Sequence, residues 1–279
     1  MSNWHAELPL LRTALAAGPF VVLTGAGLST GSGIPAYRDA EGRWAHPAPV
    51  QHQAFTRDEA VRRRYWARSF VGWQRFGQAQ PNVGHHALAE LERQGHVHTL
   101  ITQNVDGLHL VAGSHAVIEL HGALRQVVCM ACGQHLERTQ VQAWLEALNP
   151  GFDPARMDAA RTAPDGDAHL EEDVYGDFKV PGCLACGAGL LKPDVVFYGD
   201  NVPRERVAQA MACVEGAAGL LVVGSSLMVY SGYRFAEQAH RLGKPVIAIN
   251  QGVTRADALL AFKLDADCGQ ALEALVSAH

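Results

Sequence analysis

Phe20-Val-Val-Leu-Thr24 runs straight into Gly25-Ala-Gly-Leu-Ser-Thr-Gly-Ser-Gly-Ile-Pro35. The run up to Thr24 is apolar or β-branched and predicts a buried strand. A glycine-rich turn comes next. A strand feeding such a turn is how backbone N–H groups are brought against a pyrophosphate. A tight strand–loop turn with no ligand is the plainer reading of the same residues. The spacing Gly25-x-Gly27 suits the dinucleotide fingerprint, yet Thr30 stands where its third glycine would fall. No second strand ending in Asp or Glu comes about twenty residues on, which disfavours an ordinary dehydrogenase. Arg38, just past the loop, is either a bidentate phosphate donor or a surface arginine.

Outward from this loop, His98–Thr102, Val117–Leu120, Val195–Tyr198, Leu220–Gly224 and Pro245–Asn250 are further apolar runs that end in polar or glycine turns. Helical patterns cover 4–17, 84–94, 203–215 and 231–242. The alternation predicts an α/β fold whose parallel sheet is covered on both faces. In such sheets ligands collect outside the carboxyl ends of the strands. Two segments break the alternation and are expected to form a smaller inserted domain. Residues 57–76 read as an arginine-rich helix containing Tyr65, Phe70 and Trp73. Residues 123–190 carry paired cysteines.

The 279 residues are 48% hydrophobic, enough for one large domain with an appended module or for two domains. A net charge of −5 argues against a nucleic-acid-binding surface. Arg12, Gly18 and Pro19 interrupt the apolar stretch Leu8–Leu23, so neither a membrane span nor a signal peptide is expected. The chain is read as cytoplasmic, with no membrane partner.

Cys129-Met-Ala-Cys132 and Cys183-Leu-Ala-Cys186 are two CxxC pairs. A cytosolic chain seldom carries structural disulfides, and each CxxC lets two thiolates grip one ion from a single turn. Two such turns complete a tetrahedral sulfur site suited to one structural Zn²⁺, with no position left open for chemistry. Four unmetallated thiols are the alternative. The spacer of 50 residues is longer than the roughly 15–20 of compact zinc sites and predicts an elaborated loop. Cys213 reads as a core residue, and Cys268 is open to either role.

Thr102-Gln-Asn-Val-Asp-Gly-Leu-His109 comes after a strand and places Gln103, Asn104 and Asp106 at the sheet edge. Amides and a carboxylate there suit ribose hydroxyls and a carboxamide; a capped helix start explains them equally. His121-Gly122 ends the next strand. Its histidine is either structural or a proton acceptor near neutral pH, and its glycine admits a ligand closely.

Taken in order, these residues resemble the sirtuin family over nearly the whole chain. The resemblance rests on Gly25-Ala-Gly-x-Ser-x-x-Ser-Gly-Ile-Pro35, Tyr37-Arg-Asp39, Thr102–Asp106, His121-Gly122, the four cysteines, Lys192–Phe197 and Val223-Gly-Ser-Ser-Leu227. Tyr65–Trp73, Ala163–Asp167, Val229–Phe235 and the long spacer look like its class II branch. The resemblance implies a Rossmann-like part over 1–45, 84–122 and 190–279. It implies a small part made of a helical insertion, 46–83, and a zinc module, 123–189. NAD and an acylated lysine on a protein substrate would enter the cleft between them, and the chain is expected to be a monomer.

The resemblance further implies roles. Gly25, Ala26, Gly27, Ser29, Pro35, Tyr37 and Arg38 would surround the pyrophosphate and nicotinamide side. Gln103, Asn104 and Asp106 would hold the nicotinamide ribose and carboxamide. Gly224, Ser225, Ser226, Asn250, Gln251, Gly252 and Cys268 would line the adenosine end. Val195, Phe197, Gly199 and Val229 would meet the peptide. His121 would act as general base, with Asn104 and Asp106 fixing the ribose. Products would be free lysine, nicotinamide and an O-acyl-ADP-ribose. Tyr37 stands where most members have Phe, Ser225 replaces a common Thr, and Asn250-Gln-Gly252 lacks an acidic partner for the adenosine ribose. Tyr65 and Arg68 share a helix face at i and i+3. A related sirtuin class that removes acidic acyl groups carries a similar Tyr-x-x-Arg pair. With six arginines within 57–76, the resemblance implies an acyl group larger or more acidic than acetyl; a solvated arginine on an amphipathic helix is the plainer reading of Arg68. An NAD-dependent mono-ADP-ribosyltransferase and a non-catalytic NAD or acyl-lysine sensor are the competing readings.

Overall fold

The computed structural model describes residues 4–277 apart from 40, 42, 45–48, 153–174 and 188. In chain order its strands are β1 (Phe20–Thr24), β2 (Val97–Thr102), β3 (Val117–Glu119), β4 (Gly122–Cys129), β5 (His135–Glu137), β6 (Leu191–Val195), β7 (Leu220–Val223), β8 (Val246–Ile249) and β9 (Phe262–Leu264). The α-helices are α1 (Leu8–Ala16), α2 (His52–Arg57), α3 (Glu59–Phe76), α4 (Val83–Arg93), α5 (Leu108–Val111), α6 (Arg138–Leu148), α7 (Arg204–Gly216), α8 (Tyr230–Arg241) and α9 (Cys268–Val276).

The large sheet runs β3-β2-β1-β7-β8-β9, and every pairing in it is parallel. With β4 to β6 left out, this is the strand order of dinucleotide-binding sheets, and its direction reverses between β1 and β7. Strand side chains alternate between two apolar layers. Val22, Leu100, Leu221, Val223, Ile247 and Ile249 face α1, α4 and α9, which answer with Leu11, Leu15, Leu88, Leu91, Leu272 and Leu275. Val21, Leu23, Ile101, Leu220, Val222 and Ala248 face α7 and α8, which answer with Val214, Phe235, Ala236 and Ala239. Burial on both faces explains why these strands read as unbroken apolar runs.

The small sheet, β5-β4-β6, is antiparallel. It packs with α2, α3 and α6 around Phe55, Tyr65, Trp66, Phe70, Val127, Val141 and Leu145. The strand expected over Val195–Tyr198 is displaced. The chain pairs instead over Leu191–Val195, and in the small sheet rather than the parallel one. Pro193 inside β6 is tolerated because β6 is an edge strand. The arginine-rich stretch is broken at Asp58, whose extended backbone separates α2 from α3. The class II phrase Ala163–Asp167, and with it the middle of the long cysteine spacer, 153–174, lies outside the described residues.

Candidate active site

The reversal point between β1 and β7 is where the polar residues gather. Gly25 N–H donates to the Val223 carbonyl (3.0 Å) and Gly27 N–H to the Gly224 carbonyl (2.9 Å), so the glycine loop is stitched to the end of β7. From the end of β2, Gln103 Nε2 donates to Ser225 Oγ (2.8 Å) and to the Thr24 carbonyl (3.2 Å). Asn104 Nδ2 donates to the Gly25 carbonyl and to Ser29 Oγ, both at 3.0 Å. Ser29 Oγ donates its own proton to Asp106 Oδ2 at 2.7 Å. Burial raises the Asp106 pKa, while the Leu108 N–H and the Ser29 hydroxyl hold its charged form. Behind this knot lie two buried histidines, His85 and His109, with ring centroids 4.9 Å apart. Burial lowers the pKa of both, His85 to about 4.

The cleft has two compartments. One is walled by Gly25, Ala26, Gly27, Tyr37, Arg38, Gln103, Asn104, Gly224, Ser225, Ser226, Asn250, Gln251 and Cys268. The other is walled by Ser29, Asp106, Val195, Phe197, Gly199, Val229, Ser231 and Arg234. Ala26, Tyr37, Gln103, Asn104, His121, Tyr198 and Val229 belong to both. Pro35 and Gly252 line neither, and Gly252 N–H donates to Asp265 instead. Arg38 lies 4.1 Å above the Trp44 ring, with Tyr37, Trp44 and Tyr198 edge to face beside it.

His121 stands at the junction. Its Nδ1 is 2.9 Å from the Gln103 carbonyl and its Nε2 is 2.9 Å from Ser231 Oγ. Burial, with Arg206 and Arg234 nearby, lowers its pKa to about 4, so the ring is neutral at pH 7. The next residue, a glycine, serves the backbone rather than a ligand. Gly122 has φ +81°, and a Cβ there would lie 2.0 Å from the Asp194 carbonyl oxygen of β6.

Tyr65 and Arg68 are not on the cleft wall. Tyr65 is 1% exposed and packs against Phe55 and Phe197, which puts it one layer behind the Phe197 ring. The i, i+3 spacing holds, but packing turns that face of α3 toward the small core. Sequence reasoning passed over Asp267, Ser231 and Arg234. Asp267 lines the same compartment as Ser225, Asn250 and Cys268, where Asn250-Gln-Gly252 supplies no acidic residue, and caps α9 by accepting from Gln270 N–H at 3.0 Å. Its place before an apolar helical run is the N-cap signal that would have found it.

The four cysteines converge away from the cleft. Their sulfurs all lie within 4.8 Å of one another, with Cys129–Cys186 at 3.7 Å and Cys132–Cys183 at 3.8 Å. A tetrahedron with metal–sulfur bonds of about 2.3 Å has edges of about 3.8 Å, so these thiols fit one Zn²⁺. Gly189 keeps the cage open, since a Cβ there would sit 2.0 Å from Cys129 Sγ.

A model of the Sir2 family matches residues 25–231. The chain belongs to the Sir2 family. Among curated sirtuins, the NAD-dependent protein deacetylase of Xanthomonas campestris pv. campestris (strain 8004) is 58% identical over 251 residues, covering 90% of this chain and 84% of that protein. The NAD-dependent protein deacetylase of Bordetella bronchiseptica is 51% identical over 278 residues, covering 99% and 100%. A solved Sir2 structure with a p53 peptide and NAD⁺ superimposes with a TM-score of 0.75 at 27% identity, covering 96% of each chain. Among the described residues, no helix of this sirtuin is long and apolar enough to cross a membrane.

Proposed function

We propose that this chain is an NAD-dependent protein-lysine deacetylase in which His121 is the general base. The coarse activity rests on Sir2 membership and on relatives of that activity at 50% identity or more. The observation that carries the base is the placing of a neutral imidazole where the two compartments meet.

NAD is a substrate here, and it brings its own leaving group, nicotinamide. The chain's work is therefore positioning and electrostatics. The glycine loop offers backbone to the pyrophosphate. Asn104 and Asp106, locked to the loop through Ser29, and Gln103, tied to Ser225 and the Thr24 carbonyl, orient the nicotinamide ribose. The segments at 195–199 and 229 take the extended peptide. His121 removes a proton from a ribose hydroxyl, and the acyl group leaves as O-acyl-ADP-ribose. General-base help of this kind is worth about 10²–10⁴-fold.

H121A is expected to lose turnover by that order while NAD affinity holds. Retention of more than about a tenth of kcat removes His121 from the role. Label from the adenylate of NAD is expected on a small acyl ester; label on protein would favour ADP-ribosyl transfer. Gel filtration is expected to show a monomer.

The finer proposal concerns the acyl group. A chain longer than acetyl, ending in a carboxylate such as glutaryl, reaches Tyr65 and Arg68 once the Phe197 ring swings aside. R68M is then expected to cut kcat/KM for a glutaryl peptide about 10- to 100-fold and spare an acetyl peptide. Equal loss on both substrates assigns Arg68 a structural part.

A further inference from the structure

Ser231 belongs to the phrase Val229–Phe235 and lies in the first turn of α8, on the wall of the second compartment. Its Oγ is 2.9 Å from His121 Nε2. The tautomer of the imidazole is decided on its other side. Nδ1 sits 2.9 Å from the Gln103 carbonyl, and a carbonyl oxygen only accepts. Nδ1 therefore carries the ring proton. A neutral ring then has one lone pair, on Nε2, and the Ser231 hydroxyl donates to it.

This creates a conflict. A base acts through its lone pair, and this lone pair is already engaged. A ribose hydroxyl cannot donate to Nε2 while Ser231 does. A relay removes the conflict without moving the ring.

We propose that Ser231 is a hydroxyl relay between the ribose and His121, taking the ribose proton at Oγ as its own proton passes to Nε2. The inference rests on His121 being the base. One O–H bond breaks on the ribose and one forms at Ser231 Oγ. The former Ser231 O–H bond breaks and an Nε2–H bond forms. Ser231 ends neutral, and His121 ends as an imidazolium with Nδ1–H still on the Gln103 carbonyl. The ribose oxygen keeps the electron pair with which it attacks the acyl carbon. The first turn of α8 helps, because a helix N-terminus favours the transient negative charge on Oγ.

S231A, S231T and H121A test the relay in two reactions of an acetylated peptide. S231A is expected to cut formation of the acyl ester about 10- to 100-fold, within the range of base catalysis. Exchange of labelled nicotinamide into NAD, which precedes the base, should fall far less. S231T keeps a hydroxyl and should restore most of the turnover. In the ligand-free protein, the ¹⁵N shift of His121 Nε2 should move toward that of a free ring nitrogen in S231A while Nδ1 stays protonated. The relay is overturned if S231A turns over as fast as the parent or faster, the sign of a hydroxyl that only covers the base. It is also overturned if S231T is as slow as S231A, if exchange falls as far as turnover, or if the Nε2 shift is unchanged. An active H121A would remove the base itself. A dead H121A beside an active S231A would remove only the relay.

Discussion

The parallel-sheet half and the cysteine-bearing half of this molecule are held together by different physics. In the first, aliphatic side chains of strands and helices interdigitate in two continuous layers. In the second, a three-stranded sheet carries an aromatic core, with Phe55–Phe197 at 5.1 Å and Phe152–Phe178 at 4.8 Å, and ends in four thiols. The sheet half secures itself by area removed from water. The other half has only three strands, and the four thiols at one end of them fit a single metal ion. Each half is therefore vulnerable to a different insult.

The largest effect is expected from the metal. Zinc binding contributes about 10–16 kcal/mol in small zinc peptides. Chelation, or C129S, should therefore strip hydrogen-exchange protection from β4, β5 and β6 while β1 and β7 keep theirs. Metal analysis should find one zinc per chain. Equal loss of protection in both halves would erase the contrast.

Next, L221A removes a fully buried side chain between β7 and its covering helices. It should cost about 2–5 kcal/mol in urea unfolding and leave zinc content unchanged.

Acid comes third. His85 is neutral in the fold, with a pKa of about 4 against 6.5 for the unfolded chain. Between those values the unfolded chain binds a proton that the native one does not, so stability is complete above pH 6.5 and falls toward pH 4. The loss is about 3 kcal/mol from His85. Urea midpoints from pH 7 to pH 4.5 should drop, and less so in H85Q; a flat profile would show that His85 takes up its proton at the same pH in the folded and unfolded chains.

The smallest effect is expected from R63A. Arg63 bridges the exposed Glu59 at 3.0 Å and donates to the Gly176 carbonyl at 2.7 Å, and its loss should cost about 1 kcal/mol by thermal melting.

The sequence made the local constraints readable and left the packing-dependent ones hidden. The glycine loop, the CxxC pairs and the turn Gln103–Asp106 announce themselves, since each needs particular residue types at fixed spacing. The parallel strands were legible because burial on both faces leaves apolar runs. β6 was misplaced because an edge strand tolerates Pro193, which argues against a strand in most settings. β9 is only Phe262–Leu264, too short to show a period. Tyr65 was placed on the correct helix with the wrong neighbours, because helical spacing says which residues share a face and not which way that face turns. His85 and His109 come from different elements, and nothing in sequence sets them side by side.

β4 begins at Gly122, beside His121, and ends at Cys129, among the four thiols. At about 3.3 Å per residue it is a strut of roughly 23 Å. A tilt of about 5° at the cysteine end moves the other by about 2 Å over that length. The thiol cluster and His121 are thus the two ends of one strand, joined covalently through it and separated by its full length.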